Sequence, residues 1–97
     1  MARLTDQQIS QALDDLPGWE RVGDAIEKRF VFASFADAVA FVVRLAFEAE
    51  AADHHPEISI SYRRVMLSYS THSEGGLTTR DIDAAAKANA VFDQRYP

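Results

Sequence analysis

The histidines are the residues of this chain best suited to chemistry, and all three lie between positions 54 and 72. His54 and His55 stand directly before Pro56, and a proline disfavours helical backbone in the residue that precedes it. The pair therefore lies in a loop, and His72 lies in the loop that follows a later apolar segment. Imidazole changes its charge near neutral pH, so this clustering predicts an acid–base site.

Three other interpretations of the histidines compete with an acid–base site. The plainest is that all of them are solvated loop residues. Three imidazoles also form one type of zinc site, although His54 and His55 would point in opposite directions in an extended segment. Ser70 and Ser73 near His72 would suit a hydrolase triad, but the chain has no Gly-x-Ser-x-Gly motif. The residues alone leave these alternatives open.

Glu50 is a further candidate, identified by its position on a predicted helix. At about 100° per residue, Asp37, Arg44 and Glu48 define one polar side of that helix. Glu50 falls about 140° away, on the side that carries Val39, Val42, Val43 and Ala46. A carboxylate on an apolar helix face is costly without a partner. Glu50 therefore either lines the floor of the histidine site or bends into water at the helix end.

Three capping signals predict the helices that position these residues. In each signal a hydroxyl residue precedes, by three positions, a Gln or Asp that can bond back to the backbone: Thr5 and Gln8, Ser34 and Asp37, Thr78 and Asp81. The first helix is short, since Pro17-Gly18 stops it. The second runs from about Phe35 to Ala52. The third runs from about Thr79 to Arg95, with an inner stripe of Ile82, Ala85, Ala86 and Phe92.

Alternating apolar and polar residues predict four strands: Trp19 to Val22, Ile26 to Phe32, Ile58 to Tyr62 and Val65 to Ser70. Gly23-Asp24 joins the first two strands, and a turn near Arg63-Arg64 joins the last two. The order α-β-β-α-β-β-α predicts an α+β fold, a four-stranded antiparallel sheet with three helices packed on one face. A hairpin brings its start and its finish together, so the two histidine loops should meet at one end of the sheet.

Composition and charge exclude several classes of protein. The length of 97 residues suits a single domain spanning 1–97, and 47% hydrophobic with 26% charged residues is typical of a folded domain. The net charge of −5 argues against a nucleic-acid partner. The absence of cysteine excludes disulfides and thiolate chemistry. No apolar stretch approaches the about 20 residues that cross a bilayer, and no signal peptide is evident. We therefore expect a cytoplasmic protein with no membrane partner.

The loop motifs resemble those of a known family. Asp53-His54-His55-Pro56-Glu57, Ser70-Thr71-His72 and Gly76-Leu77-Thr78-Thr79-Arg80-Asp81-Ile82 are similar to motifs of the pterin-4a-carbinolamine dehydratases, also called 4a-hydroxytetrahydrobiopterin dehydratases. Leu16-Pro17-Gly18-Trp19 and Phe30-Val31-Phe32 also fit, so the resemblance covers nearly the whole chain. One departure is Ile58, where the family often has a tryptophan, so an aromatic wall of the pocket is missing or supplied elsewhere.

The resemblance implies a dehydration that needs no cofactor and no metal. The substrate would be the 4a-hydroxytetrahydropterin released by aromatic amino-acid hydroxylases, and the product would be the quinonoid dihydropterin. The resemblance assigns His54 and His72 to proton transfer and His55 to binding and electrostatics. The residues around the pterin would be Glu50, Asp53, Ser70, Thr71, Ser73 and Asp81.

Two other functions and an oligomeric state also follow as expectations. Animal members of the family double as the dimerisation cofactor of a hepatocyte nuclear factor, so an interaction module is the second hypothesis. A histidine-based metal-binding hydrolase is the third. A four-stranded sheet with one bare face and two open edges needs cover, which predicts a homodimer or homotetramer.

Overall fold

The computed structural model describes residues 2–95 and has the predicted order of elements. The elements are α1 (Asp6–Asp14), β1 (Glu20–Val22), β2 (Ala25–Val31), α2 (Phe35–Ala52), β3 (Glu57–Ser61), β4 (Arg64–Tyr69), a 3-10 turn (His72–Glu74) and α3 (Thr79–Arg95). The strands form one antiparallel sheet in the order β1-β2-β4-β3, which confirms the α+β prediction. Within residues 2–95, none of the helices combines the length and apolar content that crossing a membrane requires.

Side-chain caps start the helices at the predicted residues. Thr5 and Gln8 form a full capping box, in which each side chain accepts from the other residue's backbone N–H. The Ser34 hydroxyl accepts from the backbone N–H three residues later at 3.1 Å. At α3 the Thr78 hydroxyl accepts from the Arg80 N–H at 3.3 Å, and Asp81 Oδ2 accepts in return from the Thr78 N–H at 3.0 Å. Local bonds to otherwise unpaired N–H groups therefore fix where the chain enters each helix.

The strands lie within one residue of the predicted ranges. β1 begins at Glu20 rather than Trp19, and the other three strands begin and end one residue earlier than predicted. The turn between β3 and β4 is Tyr62-Arg63, because Ser61 pairs with Arg64. Tyr62 takes left-handed backbone with φ of 55°, which suits the twist of a two-residue hairpin turn.

The helices cover one face of the sheet and bury it. The sheet contributes Ile26, Phe30, Val65, Leu67 and Tyr69, each at most 2% exposed. Phe41 of α2 packs on Phe30 with ring centroids 4.9 Å apart. Burial of an apolar side chain of this size stabilises the fold by roughly 1.5–3 kcal/mol. The site described below is therefore built on a rigid layer.

The predicted buried face of α2 is wrong, and the predicted inner stripe of α3 is wrong at one position. The buried residues of α2 are Ala38, Phe41, Leu45 and Ala49, whereas Val43 is 52% exposed. On α3, Ala86 is exposed, and Ala88 is buried in its place. The second helix is apolar on most sides, so periodicity alone could not decide which apolar side meets the sheet.

A polar contact beside the core joins α3 to β2. Asn89 Oδ1 accepts from Trp19 Nε1 at 3.0 Å and from Lys28 Nζ at 2.7 Å. Lys28 also donates to the carbonyl oxygen of Pro17 at 2.9 Å. Burial lowers the pKa of the Lys28 ammonium, and the Asp93 carboxylate partly offsets this shift. The amide of Asn89 thus provides the acceptor for the buried Trp19 N–H and binds the half-buried Lys28 ammonium.

Candidate functional site

One end of the sheet brings three connecting segments together. β2 and β3 both pair antiparallel with β4, so both begin where β4 ends, and Glu27 and Glu57 flank Ser68 in the register. Between the segments lies an open cavity of about 280 Å³, which we call the outer cavity. Its lining residues are Asp24, Ala25, His55, Glu57, Ser68, Ser70, His72 and Gly75.

Two of the three histidines line the outer cavity. His72 opens the 3-10 turn after β4, in a loop that is closed by backbone hydrogen bonds between Thr71 and Gly76. Gly75 ends this turn with φ of 70°, a left-handed conformation that glycine adopts without strain. His55 reaches the cavity from the segment before β3. The cavity therefore offers two imidazoles beside hydroxyl and carboxylate groups, a set suited to moving protons.

Glu50 contacts His55 and does not line the cavity floor. Its Oε2 lies 2.5 Å from His55 Nε2, and the two side chains are 75% and 56% exposed. Of the two alternatives for Glu50, the structure shows the one in which it bends into water at the helix end, because α2 buries Ala49 and directs the next residue to solvent. An exposed pair of this kind is worth about 0–1 kcal/mol, so its main effect is to orient the imidazole.

His54 lines a different cavity. Its ring is buried, its Nε2 lies 2.6 Å from Asp81 Oδ1, and it stacks on Tyr69 with ring centroids 5.9 Å apart. The cavity beside it, of about 400 Å³, lies between α2 and α3, and we call it the inner cavity. Its walls include Leu45, Ala49, Arg80, Ala84 and Lys87. The three imidazoles do not converge on one cavity, contrary to the expectation from the loops.

Asp81 is the centre of a buried hydrogen-bond network. The residue is 0% exposed, and Oδ1 contacts His54 while Oδ2 accepts from the Thr71 hydroxyl at 2.8 Å. Oδ2 also accepts the capping bond from the Thr78 N–H. The hydroxyls of Thr71 and Thr78 lie 2.8 Å apart. Asp81 and Thr71 line neither cavity, although both were expected near the ligand.

Asp53 and Arg80 direct the chain from α2 toward the histidines. Asp53 ends α2 in left-handed backbone with φ of 50° and ψ of 43°, a conformation that Asp tolerates better than most residues. Its carbonyl oxygen accepts from Arg80 Nη2 at 2.5 Å, and the N–H of His54 returns to the Ala49 carbonyl at 3.1 Å. The exposed residues Asp53 and Ser73 line neither cavity.

Sequence reasoning missed several residues of the outer cavity. Asp24 comes from the turn between β1 and β2, Ala25 begins β2, and Glu57 and Ser68 come from the paired ends of β3 and β4. The hairpin argument could have identified Glu57 and Ser68, which pair at the open end of the β3–β4 hairpin. Asp24 and Ala25 depend on the pairing of β2 with β4, which no hairpin turn fixes. Ile58, at the position where the family often has a tryptophan, is 41% exposed and lines neither cavity.

Tyr69 has a strongly perturbed ionisation beside the inner cavity. It is 1% exposed and lies next to the rings of Trp19 and His54. Burial raises the pKa of Tyr69 to about 12, and the Asp81 carboxylate adds to the shift. The phenol therefore stays protonated at neutral pH and does not serve as a base there.

The described residues provide no cage for a metal ion. Among residues 2–95, no group of three or more His, Asp or Glu side chains is arranged to hold one. The division of the histidines between two cavities agrees with this finding, because three imidazoles can share an ion only where they converge.

Comparisons with known proteins agree on one family. The sequence model described as "Pterin 4 alpha carbinolamine dehydratase" matches residues 2–91. A protein of Roseiflexus castenholzii is 52% identical over 91 residues, which cover 94% of this chain and 98% of the relative. A protein of Thermomicrobium roseum is 53% identical over 87 residues, which cover 90% and 94%. Both carry the name "Putative pterin-4-alpha-carbinolamine dehydratase".

Solved structures share the fold. A crystal structure described as a transcriptional coactivator/pterin dehydratase from Brucella melitensis has a TM-score of 0.88 and 43% identity, over 92% of this chain and 97% of that chain. A pterin dehydratase-like protein, identified as a RuBisCO assembly factor in the alpha-carboxysome, has a TM-score of 0.63 and 26% identity, over 75% and 84%.

Proposed function

The chain belongs to the pterin 4 alpha carbinolamine dehydratase family, and we propose that it dehydrates a 4a-hydroxytetrahydropterin, such as 4a-hydroxytetrahydrobiopterin, to the quinonoid dihydropterin and water. The observation that carries this proposal is the outer cavity, where His55 and His72 lie beside hydroxyl and carboxylate groups. The reaction would recycle the pterin cofactor of aromatic amino-acid hydroxylases.

The reaction transfers two protons and forms one double bond. An acid protonates the hydroxyl on C4a, and the C4a–O bond breaks as water leaves. A base removes the proton from N5, and the electron pair of that bond forms the C4a=N5 double bond. The atoms and electrons balance without an oxidant or a reductant. A protonated imidazole and a neutral imidazole at the two positions are therefore sufficient.

We assign these transfers to His55 and His72 because both line the outer cavity. The Glu50 carboxylate can only accept, so Nε2 of His55 carries a proton and the neutral ring keeps Nδ1 as a proton acceptor. His55 then suits the base and His72 the acid. The pair implied by the family resemblance, His54 with His72, stays a prediction, and the experiment below distinguishes the two pairs.

The carboxylates of the outer cavity suit the edge of the pterin ring that carries N3–H and the 2-amino group. A pterin carries an N3–H and a 2-amino group side by side, and these two donors match the two oxygens of one carboxylate. Asp24 and Glu57 supply carboxylates to the cavity, and Ser68 and Ser70 add hydroxyl groups. We infer that Asp24 or Glu57 holds this edge of the ring while the C4a–N5 bond faces the imidazoles.

The test is a rapid-mixing assay that follows the dehydration of 4a-hydroxytetrahydropterin, which an aromatic amino-acid hydroxylase generates in situ. His55→Ala and His72→Ala should each lower kcat by roughly 10²–10⁴-fold, the usual loss for a positioned acid or base. His54→Ala is the matched control, since it deletes the same side chain from the adjacent residue, and it should lower kcat less.

Two outcomes would change the proposal in different ways. If His54→Ala abolishes turnover while His55→Ala only raises KM, the pair implied by the resemblance is correct and the dehydratase function stands. If the wild-type protein does not accelerate the reaction above its spontaneous rate, the dehydratase function itself is wrong.

An interaction module is the second candidate function, and the outer side of α2 favours it. Phe35, Val43 and Phe47 are 53%, 52% and 74% exposed, and they lie within a sector of about 120° on the helix. Apolar side chains grouped in this way commonly mark a contact surface. If the outer side of α2 is a contact surface, Phe47→Ser should weaken the binding of a partner protein to it. If the chain is only a catalyst, Phe47→Ser should leave its turnover unchanged.

A further inference from the structure

We propose that Asp81 is a positioning residue that fixes the two outer-cavity histidines relative to each other. The activity part of this proposal rests on the proposed function. Asp81 binds the residue immediately before each histidine, because Oδ1 contacts His54 and Oδ2 accepts from Thr71. One carboxylate thus joins the segment that carries His55 to the segment that carries His72.

The carboxylate is itself firmly held. Asp81 lies fully buried in the first turn of α3, where the helix dipole favours a negative charge. The backbone N–H of Thr78 donates to Oδ2 at 3.0 Å and anchors it to the start of the helix. An ionised carboxylate only accepts hydrogen bonds, so His54 donates its Nε2–H and Thr71 its hydroxyl. Bonds to a charged acceptor are stronger than neutral ones.

Two further sets of hydrogen bonds each act on one segment alone. Arg80 and the Ala49 carbonyl hold the turn between α2 and His54. The backbone pair between Thr71 and Gly76 closes the His72 loop on itself. Asp81 adds a side-chain link between the two segments, beside the pairing of β3 with β4 and the stacking of His54 on Tyr69. A misplacement of about 1 Å costs a reaction on the order of 100-fold in rate, so this link should matter for turnover.

Two substitutions test the link from opposite sides. Thr71→Val keeps the shape of the side chain and removes its bonds to Asp81 and to the Thr78 hydroxyl, while the contact of Asp81 with His54 and the cap on α3 remain. Asp81→Asn must direct its oxygen to the Thr78 N–H, so its amide group faces His54 Nε2 and reverses the polarity of that bond. The His54 ring must then change tautomer or move away.

The first readout is the kinetics of dehydration. Thr71→Val should lower kcat by roughly 10- to 100-fold with little change in KM, because the chemical step depends most on alignment. Thr71→Ser retains the hydroxyl and should restore kcat to near the wild-type value. If Thr71→Ser loses as much turnover as Thr71→Val, or if Thr71→Val keeps the wild-type kcat, the positioning role is wrong.

The second readout is independent of activity and uses ¹⁵N NMR of the imidazoles in the ligand-free protein. Asp81→Asn should change the His54 tautomer and shift the ring signals of both His55 and His72. Asp93→Asn removes an exposed carboxylate from the same helix that lines neither cavity, and it should leave these signals unchanged.

The NMR outcomes separate this proposal from the proposed function. Shifted His55 and His72 signals in a protein without dehydratase activity would support the positioning role and refute the function. Unchanged signals in folded Asp81→Asn and Thr71→Val would overturn the positioning role, whatever the activity. Thr71→Val keeps the α3 cap and therefore provides the test if Asp81→Asn does not fold.

Discussion

Tyr69 should make the stability of this protein fall steeply at alkaline pH. The side chain is 1% exposed on β4, and its ring lies against His54 and Trp19. Burial and, to a smaller extent, the nearby Asp81 carboxylate together raise the pKa of Tyr69 to about 12, because a second negative charge beside the carboxylate is unfavourable. In the unfolded chain both causes disappear, and the phenol ionises near its ordinary value of about 10.

The sign and size of the effect follow from these two values. Between pH 10 and 12 the unfolded chain releases the Tyr69 proton while the folded chain keeps it, so the free energy of unfolding falls as the pH rises. The stabilisation is fully present below about pH 10. Each unit of difference in pKa is worth about 1.4 kcal/mol. The loss across this window is therefore roughly 2–3 kcal/mol.

Urea unfolding at pH 8, 10, 11 and 12 measures this loss, with Tyr69→Phe as the reference. Both proteins share every other ionisable group, so the difference between their unfolding free energies isolates Tyr69. That difference should shift by roughly 2–3 kcal/mol between pH 10 and 12, with the wild type losing more. Tyr62→Phe removes a tyrosine that is 67% exposed, and this control should follow the wild type. Parallel pH curves for wild type and Tyr69→Phe would refute the reasoning.

Three further predictions concern stability and assembly. Asn89→Ala should lower the free energy of urea unfolding by about 1–3 kcal/mol, because Trp19 Nε1 loses its acceptor, and Asn89→Asp, which keeps an acceptor, should lose less. Glu50→Gln should change that free energy by less than about 1 kcal/mol, since the side chain is 75% exposed; a larger loss in the same experiment would contradict the exposed geometry. Light scattering should give a mass above the 10.8 kDa of one chain, and Phe47→Ser should lower it; a monomer mass at every concentration would contradict the oligomer.

The helices were predictable because their starting signals are local. A cap and its acceptor stand three residues apart, so Thr5 with Gln8 and Ser34 with its partner can be recognised without knowing the rest of the fold. The strands were predictable from their alternating pattern, but only to within one residue. The exact end of a strand is set by the register with its partner strand, which the pattern does not show. The β3–β4 turn moved by one residue for the same reason.

The orientation of α2 could not be predicted from its sequence. Valines, phenylalanines and alanines occur on most of its sides, and the sheet selects the side with Phe41 and Leu45. That choice exposes Val43 and turns Glu50 outward. The helical arithmetic placed Glu50 correctly relative to its neighbours, but it identified the wrong side as the buried one.

The sequence predicted that the two histidine loops would meet, but not that His54 would line the inner cavity while His55 and His72 line the outer one. Hairpin pairing brings the segments near His55 and His72 together, as the antiparallel order requires. Whether a side chain turns to one cavity or the other depends on its long-range partner. For His54 that partner is Asp81, 27 residues later in the chain.

Asp81 illustrates how a local explanation can conceal a long-range one. Its spacing from Thr78 predicts a capping acid, and the cap is present. The cap needs one acceptor, however, and a carboxylate has two oxygens, so Asp81 can also bind His54 and Thr71. A variant that only weakened the cap would lower the stability of α3 without separating the histidine segments. Thr71→Val keeps the cap and removes the bond between Asp81 and the segment that carries His72. Its effect on kcat, rather than the stability of Asp81→Asn, therefore decides whether the buried carboxylate positions the histidines.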